Sequence, residues 1–286
     1  MKIRRNFIFA VFPILFGINL TSYAIAHQPN RMTDAPAVYK VIKGEVIQED
    51  SLSYFHQLLM LALDTTVDEY GAYQLENVDF HTPQYRTLKL LNLPNTLDIT
   101  YSMTSLARER EFIAIKIPLL KGLFGKRRLL VMQKDKEKFE LMSEGVLKTM
   151  VACQGMHWPD TAILQKNNYQ VYGVIDFEAN LKMLMKGRCD YFPRGIHEID
   201  IDLNKLNSRY PEIVAVESLL LKYNAPVYFF VGKQNKALAT RIEQGLNNLL
   251  LDGSMDSLFN ESKFSRYDQS LELKPKLRVF HLANTL

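Results

Sequence analysis

The order of its apolar patterns constrains this chain most. "VYKVI" (Val38 to Ile42) alternates like a strand. "DSLSYFHQLLMLALDTT" then takes a helical period, with Leu52, Phe55, Leu58, Leu59 and Ala62 on one face and Asp50 or Ser51 as cap. "YGAYQLENVDF" returns to a strand pattern. "TPQYRTLKLLNL" starts a helix with Thr82 as cap and Pro83 at its first position, and "LDITYSMT" is a third strand. Strand, helix, strand, helix, strand implies parallel pairing through crossover helices. The middle of the chain repeats the order: "VLKTMVACQG", "WPDTAILQKN", "YQVYGVI", "FEANLKMLMKG" and "CDYFPRG". "IPLLKGLFGKRRLLVMQKDKEKF" separates the two units. A strand, "APVYFFVGK", and a long helix, "KALATRIEQGLNNLLLDGS", follow, with Leu238, Ile242, Leu246 and Leu249 on one face. The tail "LELKPKLRVFHLANTL" is polar, then strand-like. The fold class is α/β, in two lobes, each a mainly parallel sheet flanked by helices, with a cleft between the lobes.

The first residues stand apart from this grammar. Lys2, Arg4 and Arg5 precede an apolar run, "FIFAVFPILFGINL", and "SYAIA" ends in an A-x-A pattern at Ala24 and Ala26. These are the parts of a cleavable secretory signal peptide over 1–26, cut before His27. Pro13 and Gly17 interrupt the run, which is short for a membrane span. The chain is therefore expected outside the cytoplasm, in a periplasm. The net charge of +4 over 286 residues is small and dispersed, and no nucleic-acid recognition motif accompanies it.

Enzymatic patterns are absent from the sequence. The six His residues form no H-x-x-x-H or H-E-x-x-H pair, and with two Cys no metal constellation is expected. No cofactor motif, G-x-S-x-G elbow or phosphate loop occurs. Cys153 and Cys189 can be a disulfide or two buried thiols; the strand reading puts them towards opposite ends of neighbouring strands, which disfavours a bond.

Three stretches resemble the extracytoplasmic solute-binding proteins of family 3, which serve amino-acid ABC transporters. "YSMTSLARERE" followed by "IPLLKG" is similar to the family's Ser/Thr-rich segment ending in an arginine. "KTMVACQGMHWPDTAIL" is similar to the strand, turn and helix that open its second lobe. "YFFVGKQNKALATRIEQGLNNLLLDGSMDSLF" is similar to its crossing strand and final helix. The resemblance implies a type II periplasmic binding protein: a monomer that closes its lobes over a small-molecule ligand and works with an ABC permease or a membrane sensor. It implies lobe one over 27–118 plus 236–286, lobe two over 119–235, and hinges near Pro118 to Leu120 and Gly232 to Gln234.

The family's clamp arginine corresponds to Arg108 or Arg110. Arg110 is preferred, because Ser105, five residues earlier, matches the spacing of a ligand-binding hydroxyl. A guanidinium suits this role because its forked donors match two carboxylate oxygens. Trp158, the only tryptophan, is either a wall for the ligand or a staple on its helix; Asp160 is expected to favour the helix start electrostatically. Tyr54 is a candidate aromatic wall and Arg86 a lesser cation. The acidic residue that takes the ligand ammonium in the family falls here at Arg194 to Gly195. Arg194 cannot bind an ammonium, which shifts the expectation towards an anionic solute; Glu198 is a possible substitute from the next loop.

Overall fold

The computed structural model describes residues 35–42, 49–80, 82–206, 208–272 and 276–284. The expected signal peptide, 1–26, lies outside them. The first half-unit runs β1 (Ala37–Ile42), α1 (Glu49–Asp64), α2 (Val67–Tyr70), β2 (Tyr73–Val78), α3 (Gln84–Leu90), β3 (Ile99–Met103), α4 (Leu106–Glu111) and β4 (Ile113–Ile115). The second runs β5 (Lys126–Met132), α5 (Lys136–Leu141), α6 (Glu144–Leu147), β6 (Val151–Gly155), α7 (Pro159–Lys166), β7 (Gln170–Val174), α8 (Phe177–Met185), β8 (Phe192–Gly195), α9 (Ile199–Leu206), β9 (Ile213–Ala215) and β10 (Leu219–Lys222). The chain then forms β11 (Val227–Val231), α10 (Lys236–Leu251), α11 (Ser254–Glu261), α12 (Lys263–Glu272) and β12 (Arg278–His281).

The first sheet has the order β2-β1-β3-β11-β4. β1 is parallel to β2 and β3, as the crossover helices require. β11 is antiparallel to β3 and β4, so the sheet is mixed. The apolar faces read from the sequence meet here. Phe55, Leu58, Leu59 and Ala62 of α1 are buried with Leu238, Ile242, Leu246 and Leu249 of α10 in one core. Each fully buried Leu, Ile or Phe among them contributes about 1.5–3 kcal/mol relative to exposure.

The second sheet has the order β12-β10-β5-β8, with β9 also on β5. β6 and β7 pair in parallel and join it through a parallel bridge between Ala152 and Tyr191. β5 lies in the stretch read from the sequence as a separator. Leu129 and Val131 face one core and Leu130 faces another, so the strand is buried on both sides.

Several expectations change. Val146 belongs to α6, capped by Ser143, and β6 begins only at Val151. Val227–Val231, expected in lobe two, adds to the first sheet because it pairs with β3 and β4. Arg278–His281, expected in lobe one, pairs in parallel with β10 in the second sheet. The chain therefore crosses between sheets over 116–125 and 223–226, and β12 joins the second sheet after α12. Pro118 to Leu120 fall in the first crossing. Gly232 to Gln234 do not lie in a crossing; the second is the stretch after β10. The two run side by side. The Tyr223 N–H donates to the Gly125 carbonyl at 3.0 Å. A Cβ on Gly125 would stand 1.7 Å from the Tyr223 carbonyl oxygen, so only glycine allows this approach.

Cys153 and Cys189 form a disulfide, with Cα atoms 5.5 Å apart. The expectation against it fails on register. Cys189 lies before β8, and the bridge of Ala152 to Tyr191 sets it beside Cys153 rather than at the far strand end.

Candidate functional site

β3 ends at the cleft between the sheets and hands over to α4. Ser105, in extended conformation, caps α4 by accepting from the Arg108 N–H at 3.3 Å. Arg108 folds back from the helix and is 8% exposed. Its Nη1 donates to Ser102 Oγ at 2.6 Å and to the Met103 carbonyl at 2.5 Å, and Nη2 donates to Gln84 Oε1 at 3.1 Å. All three partners are neutral. Two of the five guanidinium N–H groups, one on Nε and one on Nη2, have no partner among the described residues. Burial pulls the Arg108 pKa down to about 10, against an opposing pull from Asp160.

Arg110 is exposed on the same helix. Two positions along an α-helix turn a side chain by about 200°, so Arg108 and Arg110 cannot face one cleft. Of the two expected candidates, Arg108 is the one buried on a chamber wall. Glu109 pairs with Lys116 and Glu111 with Lys89.

A chamber of about 460 Å³ opens beside Arg108. Thr104, Ser105 and Tyr85 line it from the first lobe, and His157, Trp158 and Lys166 from the second. The Tyr85 and His157 rings meet across it at 4.4 Å. Pro159 opens α7, and the Thr161 hydroxyl donates to the Gly155 carbonyl at 2.7 Å, which fixes the turn. Trp158 lies between this chamber and the β8 strand. It stacks on Phe192 at 6.3 Å and also lines a second chamber of about 230 Å³.

The second chamber holds the charged cluster. Arg127 of β5, which sequence reasoning missed, bonds Asp160 at 2.7 Å and Glu198 at 3.2 Å. Its Nε donates to the Tyr223 hydroxyl at 3.0 Å, and that hydroxyl donates in turn to Asp160. Asp160 is therefore a buried ion-pair partner and not only a helix-start charge. Burial alone would lower the Arg127 pKa, but Asp160, Tyr223 and Glu198 raise it above the ordinary value. The signal for Arg127 was "GKRRLL", a charge pair opening an apolar run.

Arg194 is also buried. It bonds Asp202 at 2.7 Å and Glu198 at 3.4 Å. Its guanidinium lies 4.8 Å from the Phe177 ring centre, 5.3 Å from Phe192 and 5.5 Å from Trp158. Its charge is satisfied within the protein. A Cβ on Gly195 would sit 2.8 Å from Glu198 Oε2, which accepts from the Gly195 N–H at 2.9 Å. The His197 ring, 2.5 Å from the same point, and the Glu198 carboxylate together fill the side-chain space of position 195. Burial would raise the Glu198 pKa, but Arg194, His197 and Arg127 outweigh it and hold it at about 2.

Tyr54 is not a cleft wall. It is buried among Phe55, Phe259 and Phe264, and its hydroxyl donates to the Leu119 carbonyl at 2.7 Å. Arg86 is exposed and donates to the Tyr85 hydroxyl at 3.0 Å. Among the described residues no group of His, Cys, Asp and Glu is arranged to hold a metal, and no helix is long and apolar enough to cross a membrane.

No family model and no curated protein matches the sequence. Solved structures do match the fold. The probable amino-acid ABC transporter extracellular-binding protein of Bacillus subtilis superposes with a TM-score of 0.56 at 18% identity, over 82% of this chain and all of that one. An ancestral arginine-binding protein bound to glutamine gives 0.54 at 13% identity, over 80% of this chain and 99% of that one. This chain has the two-lobed type II periplasmic binding protein fold. The VFT2 domain of Bordetella pertussis BvgS shares it, with a TM-score of 0.56 at 13% identity over 81% of this chain and 92% of that one. In this type II binding fold the two chambers beside Arg108 and Arg127 are the interlobe cleft. It sits at the carboxyl ends of β3 and β6, where open α/β sheets place ligands.

Proposed function

We propose that this chain is an exported solute-binding protein. It captures a small solute bearing a carboxylate between its lobes, closes about the crossings after β4 and β10, and presents the solute to an ABC permease. One observation carries this reading. Arg108 is a buried cation on the cleft wall whose bonded partners are all neutral. A buried charge is costly unless paired, so the wall is built for an anion that arrives from solution. Its two free N–H groups match the two oxygens of a carboxylate.

A membrane sensor is the second reading for the partner, favoured by the fold shared with the BvgS domain. We read the chain as a binding protein rather than an enzyme. Glu198, held near 2, stays ionised at neutral pH and makes a poor general acid. The expected periplasmic location and monomeric state belong to the same reading.

The test is a thermal-shift screen of the chain from His27 against monocarboxylates, dicarboxylates, amino acids and short peptides. A ligand that binds only the folded state raises the melting point by mass action. At least one carboxylate is expected to do so. Silence over the whole panel contradicts the reading.

A further inference from the structure

The inner chamber bears on which carboxylate the cleft accepts, given the solute-binding reading on which this inference rests. We propose that the ligand is a carboxylate without an α-ammonium group, and that Arg127 excludes the ammonium by occupying both carboxylates that would otherwise receive it. An ammonium in a cleft needs an acidic partner. The acidic residues on the inner chamber's wall are Asp160 and Glu198. Both already face the Arg127 guanidinium, at 2.7 and 3.2 Å, and Glu198 also pairs with Arg194 at 3.4 Å. The remaining acceptor capacity is largely taken by the Tyr223 hydroxyl on Asp160 and by the Gly195 N–H on Glu198. Asp202 lies behind Arg194 and does not line the chamber.

Arg127 is not a side chain that swings aside. It is 7% exposed and anchored by the Tyr223 hydroxyl. An incoming ammonium must therefore displace a buried, triply bonded guanidinium or stay beside it as a like charge. Neither is favourable in a site of low dielectric. The outer chamber offers no alternative. Its wall carries Arg108 and Lys166 and no Asp or Glu. A carboxylate finds two free donors there; an ammonium finds only neutral oxygens, such as those of Thr104, Ser105 and Gln165, and no carboxylate.

Calorimetric titration of the wild-type chain with matched pairs tests this. Glutarate and glutamate, succinate and aspartate, and 3-phenylpropionate and phenylalanine each differ by the ammonium. In any pair that binds, the ammonium-free member should bind tighter, on the order of 30-fold, the factor for one ill-matched buried charge. An amino acid that binds as tightly as its partner, or tighter, overturns the inference and leaves the solute-binding reading intact. Silence from both members of every pair counts against the solute-binding reading itself. R127M supplies the converse. It frees Asp160 of its ion pair, leaves Glu198 with Arg194 alone, and should bring the affinity for the amino-acid member up towards that of its partner. A folded R127M, by circular dichroism, that still discriminates as the wild type does overturns the role given to Arg127. The wild-type comparison does not depend on this variant.

Discussion

His197 is the titratable side chain whose environment is most at odds with its chemistry. It is buried, its ring stacks on Phe124 with centres 4.1 Å apart, and its Nδ1 has no partner. Burial holds its pKa at about 4 against an ordinary 6.5; Arg127 and Arg194 add to this, and Glu198 opposes them. Between those values the unfolded chain binds a proton that the folded chain does not. Stability therefore rises with pH across this window, and acidifying from 6.5 to 4 removes on the order of 3 kcal/mol. Glu198 adds a second loss as pH falls from its ordinary 4.5 to about 2. Urea midpoints measured from pH 7 to 4 should fall steeply for the wild type and much less for H197F. Equal slopes would show that His197 does not carry the effect. That Ser105 and an arginine of the same segment come to one wall was legible from their spacing. Which of Arg108 and Arg110 lines the cleft was not, because it depends on which face of a six-residue helix turns inward. The partners of Arg194 were hidden too, since Asp202 and the aromatic cage come together only once α9 packs on β8.

At the scale of elements, the disulfide staples β6 to the segment that leads into β8. It closes a loop with a sequence separation of 36 residues. On the chain-entropy account such a loop contributes about 3–4 kcal/mol. Reduction, or the double variant C153S/C189S, should lower the melting temperature by roughly 10 °C for a domain of this size. An unchanged melting temperature would mean that the bond is not formed or constrains nothing. The alternation of strands and helices located most elements, because crossover helices leave a strong period of 3.6 between strands. β5 escaped. Its two-sided burial gives a continuous apolar run, which lacks the alternation of a half-exposed strand. β12 was recognised as strand-like, but its partner β10 is far away in sequence and left no local mark.

For the whole molecule, two lobes and a cleft followed from a repeated order of elements. The crossings did not follow, because a crossing is defined by which sheet a strand joins and not by its own pattern. β11 and β12 each joined the sheet opposite to the one expected. The result is a cleft bounded by two chambers with different work. The inner one is a closed network of guanidinium and carboxylate groups. The outer one carries a buried cation without a counter-charge bonded to it. The central claim is that Arg108 holds the carboxylate of the captured solute. It is tested most directly by calorimetric titration of the best carboxylate from the thermal screen against wild type, R108M and R110A, with folding of each verified by circular dichroism. R108M keeps the bulk of the side chain and removes the charge. The account predicts a loss of about 100-fold or more for R108M, the scale of a bidentate charged pair, and a change within about twofold for R110A. Undiminished affinity in folded R108M, or a loss confined to R110A, would contradict it.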